Sequence, residues 1–306
     1  MGIPLFDFND YEKDKEGFAK AFGEAFRQFG FVRLINHGIP EAVLEDADKA
    51  SRGFYSLPLD VKEQYEAGEW KGLIGYSRNA EIARGKTEVD KKEEFSIRAR
   101  LGDDHPFASK LDSVLNIKEY PDYYPAMMTL FKNFEEATLR VMRPISLYMG
   151  MDENWFDDKF DKSHSMMRPI YYPNGGTAAN HLDLNFLTWL RAEKPGLFVT
   201  DRSGVEHEVV AGEGELLLNG GMQLGLLTNE DLKPSWHRVD APDPRYTIVF
   251  FVHPNPDFKL KPLGRFENIV LGADETPDYF PAANENGKFE ISVADFVQQE
   301  ISKIFG

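Results

Sequence analysis

Three residues with metal-ligating side chains stand at spacings that suit one coordination site. In NHLDLNFLTWL, His181 and Asp183 are two apart. Strand residues two apart share a face, so the segment is expected to offer an imidazole and a carboxylate together while Leu182 and Leu184 face away. The pair alone carries little, because in a chain with 7 His and 51 acidic residues roughly one His-x-acid match arises by chance. His237, in the β-like run SWHRV, follows 54 positions after Asp183, with several strand-sized segments and two glycine-rich turns between them. That separation lets the chain return to the same barrel mouth. Two imidazoles and one carboxylate on one face of an octahedron leave three adjacent positions open, a ligand set suited to Fe(II) that must take a bidentate cosubstrate and dioxygen. A zinc hydrolase could use the same ligands but needs a general-base carboxylate nearby, and no motif supplies one.

Arg245 opens RYTIVFFVHP eight residues after His237, and Thr247 shares its strand face. A guanidinium fork beside a hydroxyl is a suitable cradle for a remote carboxylate, with Tyr172 of RPIYYPN a further donor. The turn residue His37 and the strand-end His253 read as structural. With no cysteine in 306 residues, disulfides, thiolate metal sites and cysteine nucleophiles are excluded. The net charge of −16, with 51 acidic against 35 basic residues and no segregated basic stripe, argues against nucleic acid as a partner. No apolar run approaches the ~18 residues of a membrane span, and the N-terminal residues lack a signal-peptide pattern. A cytoplasmic protein without a membrane partner is expected.

The elements that must position these residues change character along the chain. IPLFDF reads as a strand, residues 15–30 as an amphipathic helix, FVRLINHGI as a strand, and further helices are expected after Pro40 and at PLDVKEQY. Short strands are expected around Tyr76 and Phe95. Residues 122–149 carry an apolar stripe long enough for about seven turns, with a bend expected at Pro144. From SMMRPIYYP onward, short β-rich runs alternate with Gly, Pro, Asp and Asn turns, the rhythm of a barrel or jelly roll. ISVADFVQQEISKIF closes the chain as an amphipathic helix. The expected fold is mixed α and β, a double-stranded β-helix (jelly-roll or cupin-like) core with flanking helices, one of them a long backbone helix. The expected organisation is a single catalytic domain over 1–306: a mostly helical region 1–120, the long helix and a linker 121–165, the metal-bearing core 166–256, and a C-terminal region with its helix 257–306.

The ordered segments IPLFDF, GFVRLINHGIP, FYSLPLDVKEQY, GYSRNAE, KKEEFSIR, RPIYYPN, HLDLNFLTWL, PGLFV, LLLNGGMQLGLLTN, SWHRV and RYTIVFFVHP resemble the 2-oxoglutarate and Fe(II)-dependent oxygenases of the isopenicillin N synthase-like family, over nearly the whole chain. The resemblance implies iron ligands at His181, Asp183 and His237 and cosubstrate contacts at Arg245, Thr247 and Tyr172. Fe(II), 2-oxoglutarate and O2 are the implied cofactor and cosubstrates. Thr247 stands where the family usually has Ser; Ile170 and Phe198 stand where many members have Asn and Gln, which bears on substrate rather than metal. The implied reaction couples decarboxylation of 2-oxoglutarate to succinate with oxidation of an unactivated C–H bond of a small molecule: hydroxylation first, desaturation or cyclisation next. Asp183 leaves no ligand position for a halide, which argues against halogenation. Two alternatives stand beside this: a 2-oxoglutarate-independent oxidase or cyclase of the isopenicillin N synthase or aminocyclopropane carboxylate oxidase type, and a non-catalytic small-molecule-binding barrel. For the substrate, Tyr76, Arg78, Glu81, Phe95, Phe186, Trp189 and the segment 221–224 are the expected lining, with Arg78 a partner for a substrate carboxylate.

Overall fold

Strand alternation and one aromatic helix face organise the N-terminal third. In the computed structural model, residues 2–68, 72–80, 88–98, 116–192, 194–269, 271–272, 276–283 and 288–305 are described. Strand β1 (Leu5–Asp7) is followed by helix α1 (Lys15–Phe29) and strand β2 (Phe31–Ile35). The Asp14 side chain caps α1 by accepting from the Gly17 N–H, and Gly30, at φ 65°, ends it in the left-handed conformation a glycine adopts without strain. Helical spacing puts Phe18, Phe22 and Phe26 on one buried face. Helices α2 (Glu41–Tyr55) and α3 (Leu59–Lys62) and strands β3 (Gly75–Arg78) and β4 (Glu93–Arg98) follow. Helix α4 (Tyr123–Tyr148) spans 26 residues and continues through Pro144.

The second half supplies strands β5 (Met166–Tyr172), β6 (Gly176–His181), β7 (Leu187–Arg191), β8 (Leu197–Thr200), β9 (Glu206–Val209) and β10 (Leu216–Gly220). The short helix α5 (Met222–Leu227), strands β11 (His237–Ala241) and β12 (Arg245–Val252), the pair β13 (Lys259–Leu260) and β14 (Ile291–Ser292), and helix α6 (Val293–Phe305) complete the order. Eight strands form the major sheet in the order β1-β2-β10-β7-β12-β5-β4-β3, and four form the minor sheet β6-β11-β8-β9. This is the expected jelly-roll core with flanking helices and a long α4. The major sheet takes four strands, β1 to β4, from before residue 121, so the core expected at 166–256 is built jointly with the N-terminal region.

Each strand of the major sheet has two faces with different neighbours. On β12, Ile248, Phe250 and Val252 point to the helices, where Phe250 stacks on Phe134 of α4 at 5.1 Å, whereas Val249 packs between the sheets. Arg245 and Thr247 share the Val249 parity and therefore face the inter-sheet space. Among the described residues no helix is long and apolar enough to cross a membrane.

Candidate metal centre

His181 ends β6 and His237 begins β11, and the two are direct cross-strand partners in the minor sheet. Their rings lie 4.3 Å apart between centroids. Asp183 is not on a strand: β6 stops at His181, and Asp183 sits in the connection to β7. The expected shared strand is thus corrected. The backbone of 182–186 leaves the ladder because its groups are used elsewhere: Phe186 N–H donates to the Val252 carbonyl, and the carbonyls of Asp183, Asn185 and Phe186 accept from Met222, Gln223 and Gly221 N–H.

The three side chains nevertheless converge. Asp183 Oδ1 is 3.7 Å from Nε2 of both His181 and His237, and one ligand atom from each of the three residues lies within 4.8 Å of the others. The remaining polar atoms are tied off. His181 Nδ1 is 2.8 Å from the Ala179 carbonyl and His237 Nδ1 is 3.1 Å from the Ser235 carbonyl, which places the proton on Nδ1 and leaves both Nε2 lone pairs facing Oδ1. Asp183 Oδ2 accepts from the Thr188 hydroxyl at 2.6 Å and the Asn219 amide at 2.8 Å. Burial pushes the Asp183 carboxyl up, but the adjacent imidazoles and these two hydrogen bonds outweigh it, and the net shift is downward. Burial pulls His237 down to about 4, so its ring is neutral at neutral pH. One carboxylate oxygen and two imidazole nitrogens converging on a common point are a donor set fit for a divalent metal.

Arg245 is 1% exposed, with Nε and Nη2 buried and, among the described residues, meeting no hydrogen-bond partner. Tyr172 is its cross-strand partner, with the guanidinium 5.7 Å from the ring centroid. Burial pushes the Tyr172 phenol up, keeping it an O–H donor. The Thr247 hydroxyl donates to the Arg191 carbonyl and reaches another acceptor only by rotating. A buried cation with two unmatched N–H groups fits a carboxylate.

The expected substrate residues fall elsewhere. Tyr76 and Phe95 oppose each other across β3 and β4 on the helix side, where Phe95 packs on Phe54 and Tyr123 and the Tyr76 hydroxyl donates to Glu93. Arg78 has the parity of Tyr76 and is exposed at the end of β3. Phe186 is fully buried against Phe156 and Phe160, and the Trp189 indole donates to Thr138 of α4. Tyr76, Arg78, Phe95 and Trp189 are each one residue out of phase with the inter-sheet face, and Phe186 precedes β7 and packs into the helix-side core. Glu81 lies outside the described residues. The residues that do face inward on β3 and β4 are Ser77, Glu94, Ser96 and Arg98, joined by Arg168 of β5. Of the segment 221–224, Gln223 reaches the interior and lies 3.0 Å from His253 Nδ1. His37 accepts from Ile39 N–H and is a turn residue as expected.

Residues 3–123 match the model of the "non-haem dioxygenase in morphine synthesis N-terminal" region, and residues 163–254 match that of the "2OG-Fe(II) oxygenase superfamily". Proline hydroxylase buaE of Petromyces alliaceus is 26% identical over 91% of this chain and 94% of its own length. The 2-oxoglutarate-Fe(II) type oxidoreductase hxnY of Emericella nidulans is 27% identical over 99% and 90%. Among solved structures, a 2OG-Fe(II) oxygenase family protein from Caulobacter crescentus superposes with a TM-score of 0.81 at 28% identity, covering 98% of both chains. A full-length Neurospora crassa protein, solved in complex with alpha-KG and thymine, shares the fold with a TM-score of 0.75 at 24% identity over 98% of this chain and 96% of its own.

Proposed function

The chain belongs to the 2-oxoglutarate and Fe(II)-dependent oxygenases, and on that footing we propose that His181, Asp183 and His237 hold its iron while Arg245 and Tyr172, with Thr247 after rotation, receive the far carboxylate of 2-oxoglutarate. It is an enzyme requiring Fe(II), 2-oxoglutarate and O2. The bound iron and cosubstrate supply the oxidising power, with O2 reduced, 2-oxoglutarate decarboxylated to succinate and a substrate C–H bond oxidised.

The chain's own residues provide ligation, orientation and dryness. The Nδ1–carbonyl bonds of His181 and His237 fix both rings and turn each Nε2 toward Asp183 Oδ1. Thr188 and Asn219 occupy one carboxylate oxygen so that Asp183 presents the other. Arg245 gives the cosubstrate one orientation, because a forked guanidinium sets the plane of the carboxylate it binds. The inter-sheet apolar residues Val249, Leu190 and Leu217 exclude water from the space between.

The observation carrying this reading is the convergence of Oδ1 and two Nε2 atoms whose partner atoms are already hydrogen-bonded. The unmatched N–H groups of Arg245 favour a 2-oxoglutarate-dependent enzyme over a cosubstrate-free oxidase. The substrate in this proposal is a small molecule, and hydroxylation is its reaction, in keeping with relatives named as hydroxylases and oxidases. A cytoplasmic location belongs to the same proposal, supported by a cysteine-free sequence that needs no oxidising compartment.

The test is an anaerobic titration of Fe(II) and then 2-oxoglutarate, following the visible charge-transfer absorption of the chelate, with wild type and His237→Ala. Wild type should take one iron per chain and develop the band, and His237→Ala should lose both. O2 uptake that ignores 2-oxoglutarate, or full iron retention in His237→Ala, would refute the assignment.

A further inference from the structure

Arg98 ends β4 opposite Met166 of β5, on the inward parity shared with Glu94 and Ser96. Its neighbour Arg168 is held by the Ser96 hydroxyl at Nε, by the Gly72 carbonyl, and by Glu94 at 3.4 Å. Arg98 is held differently. Its Nε donates to the Leu73 carbonyl at 3.1 Å and its Nη1 to the His164 carbonyl at 3.0 Å, and among the described residues it meets no carboxylate. A guanidinium carries five N–H donors, so the two carbonyls orient Arg98 without exhausting or neutralising it. Burial lowers its pKa to about 10, and the positive charge of Arg168 adds to the shift. Partly exposed, facing inward and beside a second cation, Arg98 keeps N–H donors open to an incoming anion.

The place of this pair relative to the metal cluster says which anion that is. Arg168 lies over the Phe251 ring at 5.5 Å, Phe251 opposes Thr188 across β12 and β7, and the Thr188 hydroxyl holds Asp183. His253, next inward after Phe251, feels the charges of both Arg98 and Asp183. Arg245 stands at the other end of β12, six residues before Phe251. The two guanidinium sites thus occupy opposite ends of one inward face, with Asp183 tied to the Arg98 end. If Arg245 takes the cosubstrate, the second cation faces what is left, the molecule to be oxidised.

We propose that the substrate is an organic monoanion, specifically a carboxylate, and that Arg98 selects it. This rests on the oxygenase reading above. Arg98 replaces Arg78 as the substrate-facing cation, since Arg78 has the opposite parity.

The experiment uses the anaerobic Fe(II)·2-oxoglutarate enzyme and matched pairs of acid and amide: L-proline with L-prolinamide, indole-3-acetate with indole-3-acetamide, and benzoate with benzamide, with thymine as a neutral probe. Perturbation of the chelate band and succinate release above the substrate-free rate are measured in wild type, Arg98→Met and Arg98→Lys. The expected result is that at least one acid acts and its amide does not. Arg98→Met should weaken that acid about 100-fold, as loss of a charge-assisted pair does, and Arg98→Lys should recover part of the loss. Binding of 2-oxoglutarate, unchanged in both variants, would show that the fold and the iron site persist. Amides or thymine matching the acids, no acid exceeding its amide, or Arg98→Met responding as wild type would overturn the proposal and leave Arg98 as a staple for two loop carbonyls. A wild-type enzyme that never forms the chelate band would instead strike the oxygenase reading itself.

Discussion

Asp183 presents one oxygen to its histidines because the other is already engaged by Thr188 and Asn219. Removing such a support leaves the ligand in place but free to turn, and losses of about 10- to 100-fold in metal affinity are usual for partners of this kind. Asn219→Ala should therefore raise the Fe(II) dissociation constant by about that factor while leaving the protein folded, read by equilibrium dialysis and far-UV circular dichroism. At the cosubstrate end, Arg245→Met should raise the half-saturating 2-oxoglutarate concentration at least ~10-fold with iron binding intact, since it removes the charge-assisted pair but no metal ligand. The three converging residues were legible in sequence because histidine and aspartate carry their chemistry in their type. Asn219 also left a signal, as the lone amide in the apolar run LLLNGG. Tyr76 and Phe95 face the helices rather than the inter-sheet space for a physical reason. Aromatic rings suit a pocket and a core equally, and only the register against β5 and the packing on α2 and α4 decides which side of the sheet they take.

The connection 182–186 shows how an element with no regular structure can be held as firmly as a strand. Three N–H groups at the β10–α5 corner, from Gly221, Met222 and Gln223, fasten its carbonyls, and the approach is so close that a Cβ on Gly221 would lie 2.0 Å from the Asn185 carbonyl oxygen. Backbone cannot give way as a flexible side chain can. Gly221→Ala should destabilise the protein by roughly 1–3 kcal/mol and also weaken iron binding, because the displaced loop carries Asp183; paired urea denaturation and iron titration would show both effects together. Here the sequence pattern ran ahead of the structure. The alternation of HLDLN continues the β6 pattern, so periodicity extends the strand to Asp183, whereas the competing backbone partners from α5 are distant in sequence and left no local mark. Helices α1 and α4 were readable from the helical spacing of their buried apolar residues, and strand β12 from its continuous apolar run.

At the scale of the molecule, buried histidines tie stability to pH. Burial lowers His253 to about 3 and His237 to about 4, both from 6.5. The unfolded chain therefore binds these protons at a higher pH than the native state. Stability is complete above about 6.5 and falls as the pH drops toward those values. At pH 5 each group should have cost the metal-free protein roughly 1–2 kcal/mol relative to pH 8, measurable by urea denaturation across that range and reduced in His253→Gln. The two-sheet architecture was visible from the turn rhythm of the second half, but the recruitment of β1 to β4 into the major sheet was not, because its long-range joins, β4 with β5 and β2 with β10, leave no periodic trace. The unmatched guanidinium of Arg245 carries its own thermodynamic consequence. A folded chain that offers such a seat, and an unfolded one that does not, are linked by mass action to the dicarboxylate that fills it. At 100 times its dissociation constant 2-oxoglutarate should add about 2.7 kcal/mol, several degrees of melting temperature, so that resistance to heat becomes a gauge of cosubstrate supply.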